Sequence, residues 1–332
     1  MAVTIDDIKK LRALTGAGLK DCKKALAEAD GDLDKAVELV RERGLAIAAK
    51  RSDREATNGC VLVKNVDGFA AMVGLRCETD FVAANADFVA LTQEIIDAAV
   101  AAKAQTLDEV NELVLSDGTK VADAVVRRSG VVGEKMELDG YNVLTGDNVY
   151  TYDHMNKHTL CTIVKLTAAN EDAGHKVAMQ VAAMKPVALN EAAVPQKVKD
   201  EELKVAIEKT KEEQVERQVV IAIKKAGINA NLVDSEDHIA SNVAKGWLSQ
   251  EQADQAKEIR EKVTVEATAN LKEQMIQNIA NGRMAKFFKD NCLVDQEFQF
   301  NEGEKMSVAQ WLDKQIKGLQ VTDYKRFSLS GE

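Results

Sequence analysis

A chain of 332 residues is too long for one small core and points to two or more domains. Its formal net charge of −10 sets the surface against phosphate backbones, which argues against nucleic acid as a direct partner. Five cysteines (Cys22, Cys60, Cys77, Cys161, Cys292) stand far apart with no CxxC pair, which argues against a zinc site or a redox motif and fits a reducing compartment.

Aromatic residues make up only 4% of the chain, so its cores must be built from Ala, Val, Leu and Ile. Only two prolines, with frequent Ala, Lys and Glu, favour helix. Asp6, Asp7, Lys9 and Lys10 stand where a signal peptide would be apolar. No window approaches the roughly 18 apolar residues of a membrane span. The expectation is a cytoplasmic protein that does not cross a membrane.

The first module reads as three short helices over residues 1–44. Thr4 caps the first, with Asp7 three residues on, and Ile5, Ile8 and Leu11 share a face. TGAG (15–18) breaks it. Cys22, Ala25, Leu26 and Ala29 repeat at helical spacing, Asp30-Gly31-Asp32 turns the chain, and Leu33, Ala36, Val37 and Val40 make a third stripe that Gly44 is expected to cap. Residues 45–59 carry charges without a clear period in their second half and read as a linker that starts helically.

VLVKNVDGFAAMVGL (61–75) reads as two strands turning at Asp67-Gly68. An acidic link, RCETDFVAAN (76–85), leads to a helix whose stripe is Val82, Ala86, Val89, Ile96 and Val100, with Asn85 as cap. TLDEVNELVL (106–115) adds a helical stretch, and VVGEKMEL follows; Val132 and Gly133 within it read as a strand end and a turn. VYTYDHMNKHTLCTIVKLTAAN (149–170) is again strand, turn, strand, and an acidic link and a helix ended by Pro186 follow it. The shared order suggests two related α+β subdomains.

KVKDEELKVAIEKTKEEQVERQVVIAIKKAG (197–227) is charged and helical, and residues 256–282 mirror it, with Ile259, Val263, Leu271, Met275 and Ile279 at roughly helical spacing. An antiparallel helical hairpin with an elaborated tip is the natural reading. The tail ends in a strand-like run, QEFQF (296–300), and MSVAQWLDKQIK (306–317) is a last helix. The fold class is therefore a helix-rich α+β chain.

Signatures of catalysis are missing. The sequence has no GxSxG, no GxxxxGK[ST] and no GxGxxG after a strand. His154 and His158 are four apart, a metal-ligand spacing on a helix, but they fall in a hairpin turn without an HExxH acid. The acidic pairs, Glu171-Asp172 among them, read as caps and surface charge.

Two stretches carry a resemblance. LTGAGLKDCKKALAEADGD (14–32) is similar to the N-terminal signature of the bacterial elongation factor Ts family, and RCETDFVAAN resembles its second signature. GVVGEKMEL (130–138), TYDHM (151–155) and NGRMAKFFKDNCLVDQEF (281–298) match further segments in the family's order. The resemblance implies a ubiquitin-associated-like domain (1–44), a linker (45–59) and two core subdomains (60–140; 141–196 with 281–305). It also implies a coiled-coil hairpin with inserted helices (197–280) and a C-terminal module (306–332). The implied activity is nucleotide exchange on elongation factor Tu, in its GDP-bound and nucleotide-free states, without a cofactor or bond chemistry of its own.

By that resemblance Thr79, Asp80, Phe81 and Val82 disturb the partner's magnesium site. Phe81 is the wedge, Asp80 aims it, and Thr79 and Val82 hold the turn. Lys23 matches a position that contacts the partner's G domain, Val132 and Gly133 match contacts to its third domain, and His154 matches a further contact. From the residues alone, Phe81 packing in its own subdomain core is the default reading. The chain also departs from the family pattern. Gly74 replaces an acidic residue, Arg76 an Asn and Ala84 a basic residue; Asn156, Lys157 and His158 stand for Gly-Gly-Arg. About residues 212–262 read as an insertion.

Overall fold

The computed structural model describes residues 3–301 and 303–330, and the chain divides into two compact units, Met1–Leu189 with Gln296–Glu332, and Asn190–Asp295. The first unit opens with three helices, α1 (Ile5–Thr15), α2 (Leu19–Glu28) and α3 (Leu33–Ala49). Thr4 and Asp7 form a reciprocal capping box, Gly16 ends α1 in the left-handed conformation, and Asp32 caps α3. Leu11, Cys22, Ala25, Leu26, Ala36 and Val40 fill the space between them. Gly44 is not a cap: α3 runs through it to Ala49, and Gly44 lies against the backbone of Gly130.

Strands β1 (Asn58–Val66) and β2 (Phe69–Cys77) form the expected hairpin, with Asp67 and Gly68 at φ 50° and 77° in its turn. A single helical turn, α4 (Asp80–Ala83), leads to α5 (Ala86–Ala102), which Asn85 caps. The buried face of α5 is Phe88, Thr92, Ile95, Ile96, Ala99 and Val100; Ile96 and Val100 of the expected stripe lie on it, while Val89 is partly buried and Ala86 exposed. Next come α6 (Leu107–Glu112), α7 (Val121–Val132) and β3 (Met136–Thr145), which pairs with β2. Val132 is therefore a helix end, not a strand end, with Gly133 as its left-handed cap at φ 75°. β3 also runs across the subdomain boundary expected at residue 140. The echo follows: β4 (Val149–Asp153), β5 (Leu160–Leu166) and α8 (Glu171–Met184), capped by Asn170.

The second unit is a helical hairpin. α9 (Gln196–Lys225) lies against α11 (Gln250–Ala269) and α12 (Glu273–Asn291), and α10 (Glu236–Ala244) sits near the turn. Val219, Ile223, Ile228, Val233, Ile239, Leu248, Ala253 and Ala256 give the inserted region a small core of its own. The second arm is broken at residues 270–272, which resets the helical phase. Ile276, Ala280 and Met284 are buried beyond the break, while Met275 is exposed. α12 also runs to Asn291, past the expected end of the hairpin at residue 280.

The first unit is completed by α13 (Val308–Gln315) and β6 (Val321–Ser328). QEFQF makes only an isolated bridge, between Glu297 and Ser307; the strand of the tail is β6, which pairs with β5. Two three-stranded antiparallel sheets result, β1-β2-β3 and β4-β5-β6. Period-two alternation assigns their faces. Cys60, Leu62, Val73 and Leu75 pack under α5, while Val61, Ala70 and Met72 meet Cys161 and Ile163 between the sheets. Gly74 is required here. A Cβ on Gly74 would stand 2.3 Å from the ring of Phe327 on β6, as would one on Gly140. Arg76 covers the same ring at 5.7 Å and pairs with Asp139. Two of the departures from the family pattern thus serve one aromatic.

Overpacking of this kind costs about 1–3 kcal/mol. Gly74→Ala is expected to lower stability by about that much in a denaturant melt, and adding Phe327→Leu should recover part of it through non-additive coupling. An additive double variant would show that the ring does not set this limit.

Candidate functional site: the exposed tip at Phe81

Phe81 is 83% exposed, the most exposed phenylalanine among the described residues. The reading that buries it in its own subdomain core is therefore corrected. Its neighbours are not free. Thr79 caps α4, accepting a hydrogen bond from the Val82 N–H at 3.4 Å, and Asp80 accepts one from the Phe81 N–H at 3.0 Å. Val82 and Ala83 turn inward onto the core beneath α5. The tip is a single helical turn in which Val82 packs inward and Phe81 points to solvent.

Two glutamates that sequence reasoning missed hold this turn. Glu134, just beyond the end of α7, accepts from the Thr79 N–H at 3.1 Å and from its hydroxyl at 2.7 Å. Glu78 accepts from the Lys135 N–H at 2.6 Å, from Arg51 at 3.2 Å and from Arg54 at 3.0 Å, so the residues following α3 are tied to the same turn. Asn58 donates to the Glu78 carbonyl at 2.9 Å. The far side is held by Arg128 of α7, which donates to Asn85 at 2.9 Å and to Asp87 at 3.1 Å. Cys77 Sγ donates to the Thr79 carbonyl at 3.2 Å; burial pushes its thiol up to about 12, so it stays protonated and a donor. The one local signal for the clamp was the Glu in GVVGEKMEL, but its partner lies 55 residues away.

The structure brings Thr79–Val82 and the Val132–Gly133 end of α7 together through Glu134. Lys23 and His154 sit on other elements, Lys23 on the exposed face of α2 and His154 at the tip of the β4–β5 hairpin. In that tip Met155, Asn156 and His158 all take positive φ, the conformation that glycines adopt most easily. His154 Nδ1 faces the Tyr152 hydroxyl at 3.3 Å, while the His158 ring pairs with Asp153. The two histidines are engaged separately, and among the described residues no group of three or more His, Cys, Asp or Glu is placed to hold a metal.

A family model described as elongation factor TS matches residues 78–331, starting inside this link. The chain is 55% identical to elongation factor Ts of Phocaeicola vulgatus and 54% identical to that of Parabacteroides distasonis, over 332 residues and the whole of each chain. It is 39% identical to that of Porphyromonas gingivalis over 333 residues, again covering both chains fully. The chain belongs to the elongation factor Ts family. Its exposed phenylalanine is set on a part-buried polar clamp. Among the described residues no helix is long and apolar enough to cross a membrane.

Burial raises the Glu78 carboxyl, but the Lys135 N–H and the guanidinium groups of Arg54 and Arg51 outweigh it and hold it below the ordinary glutamate value. A depressed folded value stabilises the protein above the unfolded pKa, and that contribution is lost as pH falls through the folded one. Glu78→Gln is expected to melt below the wild type at neutral pH, and the gap should close on acidification below the glutamate range. A gap independent of pH would mean that the charge is not what anchors the turn.

Proposed function

We propose that this protein is a guanine nucleotide exchange factor for elongation factor Tu, and that Phe81 is the element which loosens GDP. The observation that carries the reading is the 83% exposure of Phe81 on a turn held from three sides. Membership of the elongation factor Ts family supports the partner and its GDP-bound and nucleotide-free states.

The task needs no bond chemistry. A GTPase holds GDP through a phosphate-cradling loop and a magnesium ion that bridges nucleotide and protein. A factor that binds better when this site is distorted must weaken GDP, and GDP weakens the factor by the same ratio. Each tenfold of that ratio needs about 1.4 kcal/mol of differential contact. Burying one phenylalanine supplies roughly 1.5–3 kcal/mol, so a single ring accounts for one to two decades. Lys23, Val132, Gly133 and His154 are assigned the remaining contacts by resemblance, Lys23 to the G domain and Val132 with Gly133 to the third domain. In this reading Asp80 aims the ring and disturbs the elements that position the ion, while Thr79 and Val82 keep the turn in shape.

Because the ring is already in water, Phe81→Ala should leave the melt within about 0.5 kcal/mol of the wild type. It should slow the release of fluorescent GDP from elongation factor Tu by about ten- to a hundredfold at fixed factor concentration. Unchanged release by the variant would remove Phe81 from the mechanism. No acceleration by the wild type at micromolar concentration would remove the exchange reading itself.

A further inference from the structure

α3 crosses α7 at two helix glycines, Gly44 inside α3 and Gly130 in the last turn of α7. A Cβ on Gly130 would stand 2.3 Å from the Gly44 Cα and 2.4 Å from its carbonyl oxygen, so the two backbones touch. The relation is one-sided: a Cβ on Gly44 would lie 3.6 Å from the Gly130 Cα, at ordinary van der Waals distance. Neither glycine has positive φ, so neither is needed for backbone freedom. A glycine inside a helix is a cost relative to alanine, and at Gly130 the offsetting gain is close approach.

The packing beside this point is loose. A cavity of about 120 Å³ opens beside the crossing, bounded by Leu14, Val37, Ile47 and Val131. A second, of about 300 Å³, lies where Thr15 and Gly16 face Leu91 and Arg128. The three-helix domain therefore meets the core at a tight crossing bordered by open space, besides the pairs of Arg51 and Arg54 with Glu78 just after α3. α7 also holds the Phe81 turn, through Arg128 to Asn85 and Asp87 and through Glu134 beyond its end to Thr79.

We infer that Gly130 is a positioning residue: its crossing with Gly44 fixes the three-helix domain relative to the Phe81 turn, so that one partner meets the face carrying Lys23 and the ring together. The inference rests on the exchange reading for its consequence, but not for the geometry itself. A methyl group at Gly130 must push α3 off α7, while one at Gly44 need not. α7 then keeps its grip on the turn, so Phe81 still acts once the partner is bound, but binding itself weakens.

The test uses the full chain with spin labels at Ala27→Cys on α2 and Ala101→Cys on α5, both exposed positions; the five native cysteines are buried. In this background Gly130→Ala is expected to lengthen or broaden the label distance. It should also raise the factor concentration for half-maximal GDP release about tenfold, equivalent to about 1.4 kcal/mol, with the maximal rate largely kept. Gly44→Ala, and Gly282→Ala on α12 where a Cβ meets nothing within 4 Å, should match the parent in both readouts. If Gly130→Ala folds poorly, Val131→Glu, which brings charge to the cavity beside the crossing, must give the same two changes. A parental distance in these disrupting variants, or a changed distance with parental concentration dependence, overturns the inference. Should the unmodified factor fail to accelerate GDP release, the exchange reading falls, and the distances alone decide whether Gly130 sets the domain's place.

Discussion

The pair of hydrogen bonds from Thr79 to Glu134 is the constraint on which the exposed ring depends. A phenylalanine left free on a short connection gains roughly 1.5–3 kcal/mol by folding back onto apolar surface, and Val82 and Ala83 show that such surface is adjacent. Against that gain stand two hydrogen bonds to a carboxylate, each worth about 1.5–3 kcal/mol, and a helix cap worth about 1 kcal/mol. The polar anchors sum to about 4–7 kcal/mol and together outweigh that gain. Glu78 adds to this margin by joining the turn to Lys135 and to the two arginines that follow α3.

Behind the turn, α7 and the paired sheets supply stiffness. β2 is buried on both faces, one under α5 and one against the second sheet, so a one-residue slip would force each face's side chains into the packing built for the other. Phe327 locks the second sheet to the first by entering the space that Gly74 and Gly140 leave open. Cys77, the last residue of β2, is thereby fixed, and the clamp begins one residue later. The fixed strand end sets where the chain leaves the sheet, and the two glutamates set where it goes next.

What the sequence made legible was local. The Thr4–Asp7 box, the Asp67-Gly68 turn and the Asn85 cap each depend on residues within a few positions, and each appears as read. So do the repeated hairpin-and-helix order and the final helix, because hydrophobic periodicity needs no distant partner. The missed features are long-range. Gly44 looks like a helix end until Gly130 is placed beside it. α7 was hidden because its Val-Val pairs and Gly130 weaken a helical pattern that only packing restores. β6 outranks QEFQF as a strand because a partner edge on β5 was available, which no local pattern reports. At the site, the link and its odd aromatic were visible, while the orientation of Phe81 was not, since Glu134 lies 55 residues from the Thr79 it holds.

In the proposed exchange reading, rigid presentation bears directly on how much of the ring's burial can be turned into work on a partner. Ordering a flexible side chain and its loop on binding costs about 0.5–1.5 kcal/mol for each immobilised side chain, which would consume much of what one phenylalanine gives. Here Thr79, Asp80 and Val82 already hold their hydrogen bonds or packing in the free chain, so little of that cost remains to be met. The same logic explains why the ring sits on a single helical turn. A four-residue helix alone is far below the length at which helices are stable in water, so its shape is set by its anchors rather than by propensity. A longer helix would be stable without Glu134, and the ring would then be placed by the helix axis instead of by contacts that α7 and the residues after α3 share. Placing Phe81 on so short a turn makes its position depend on those neighbouring elements.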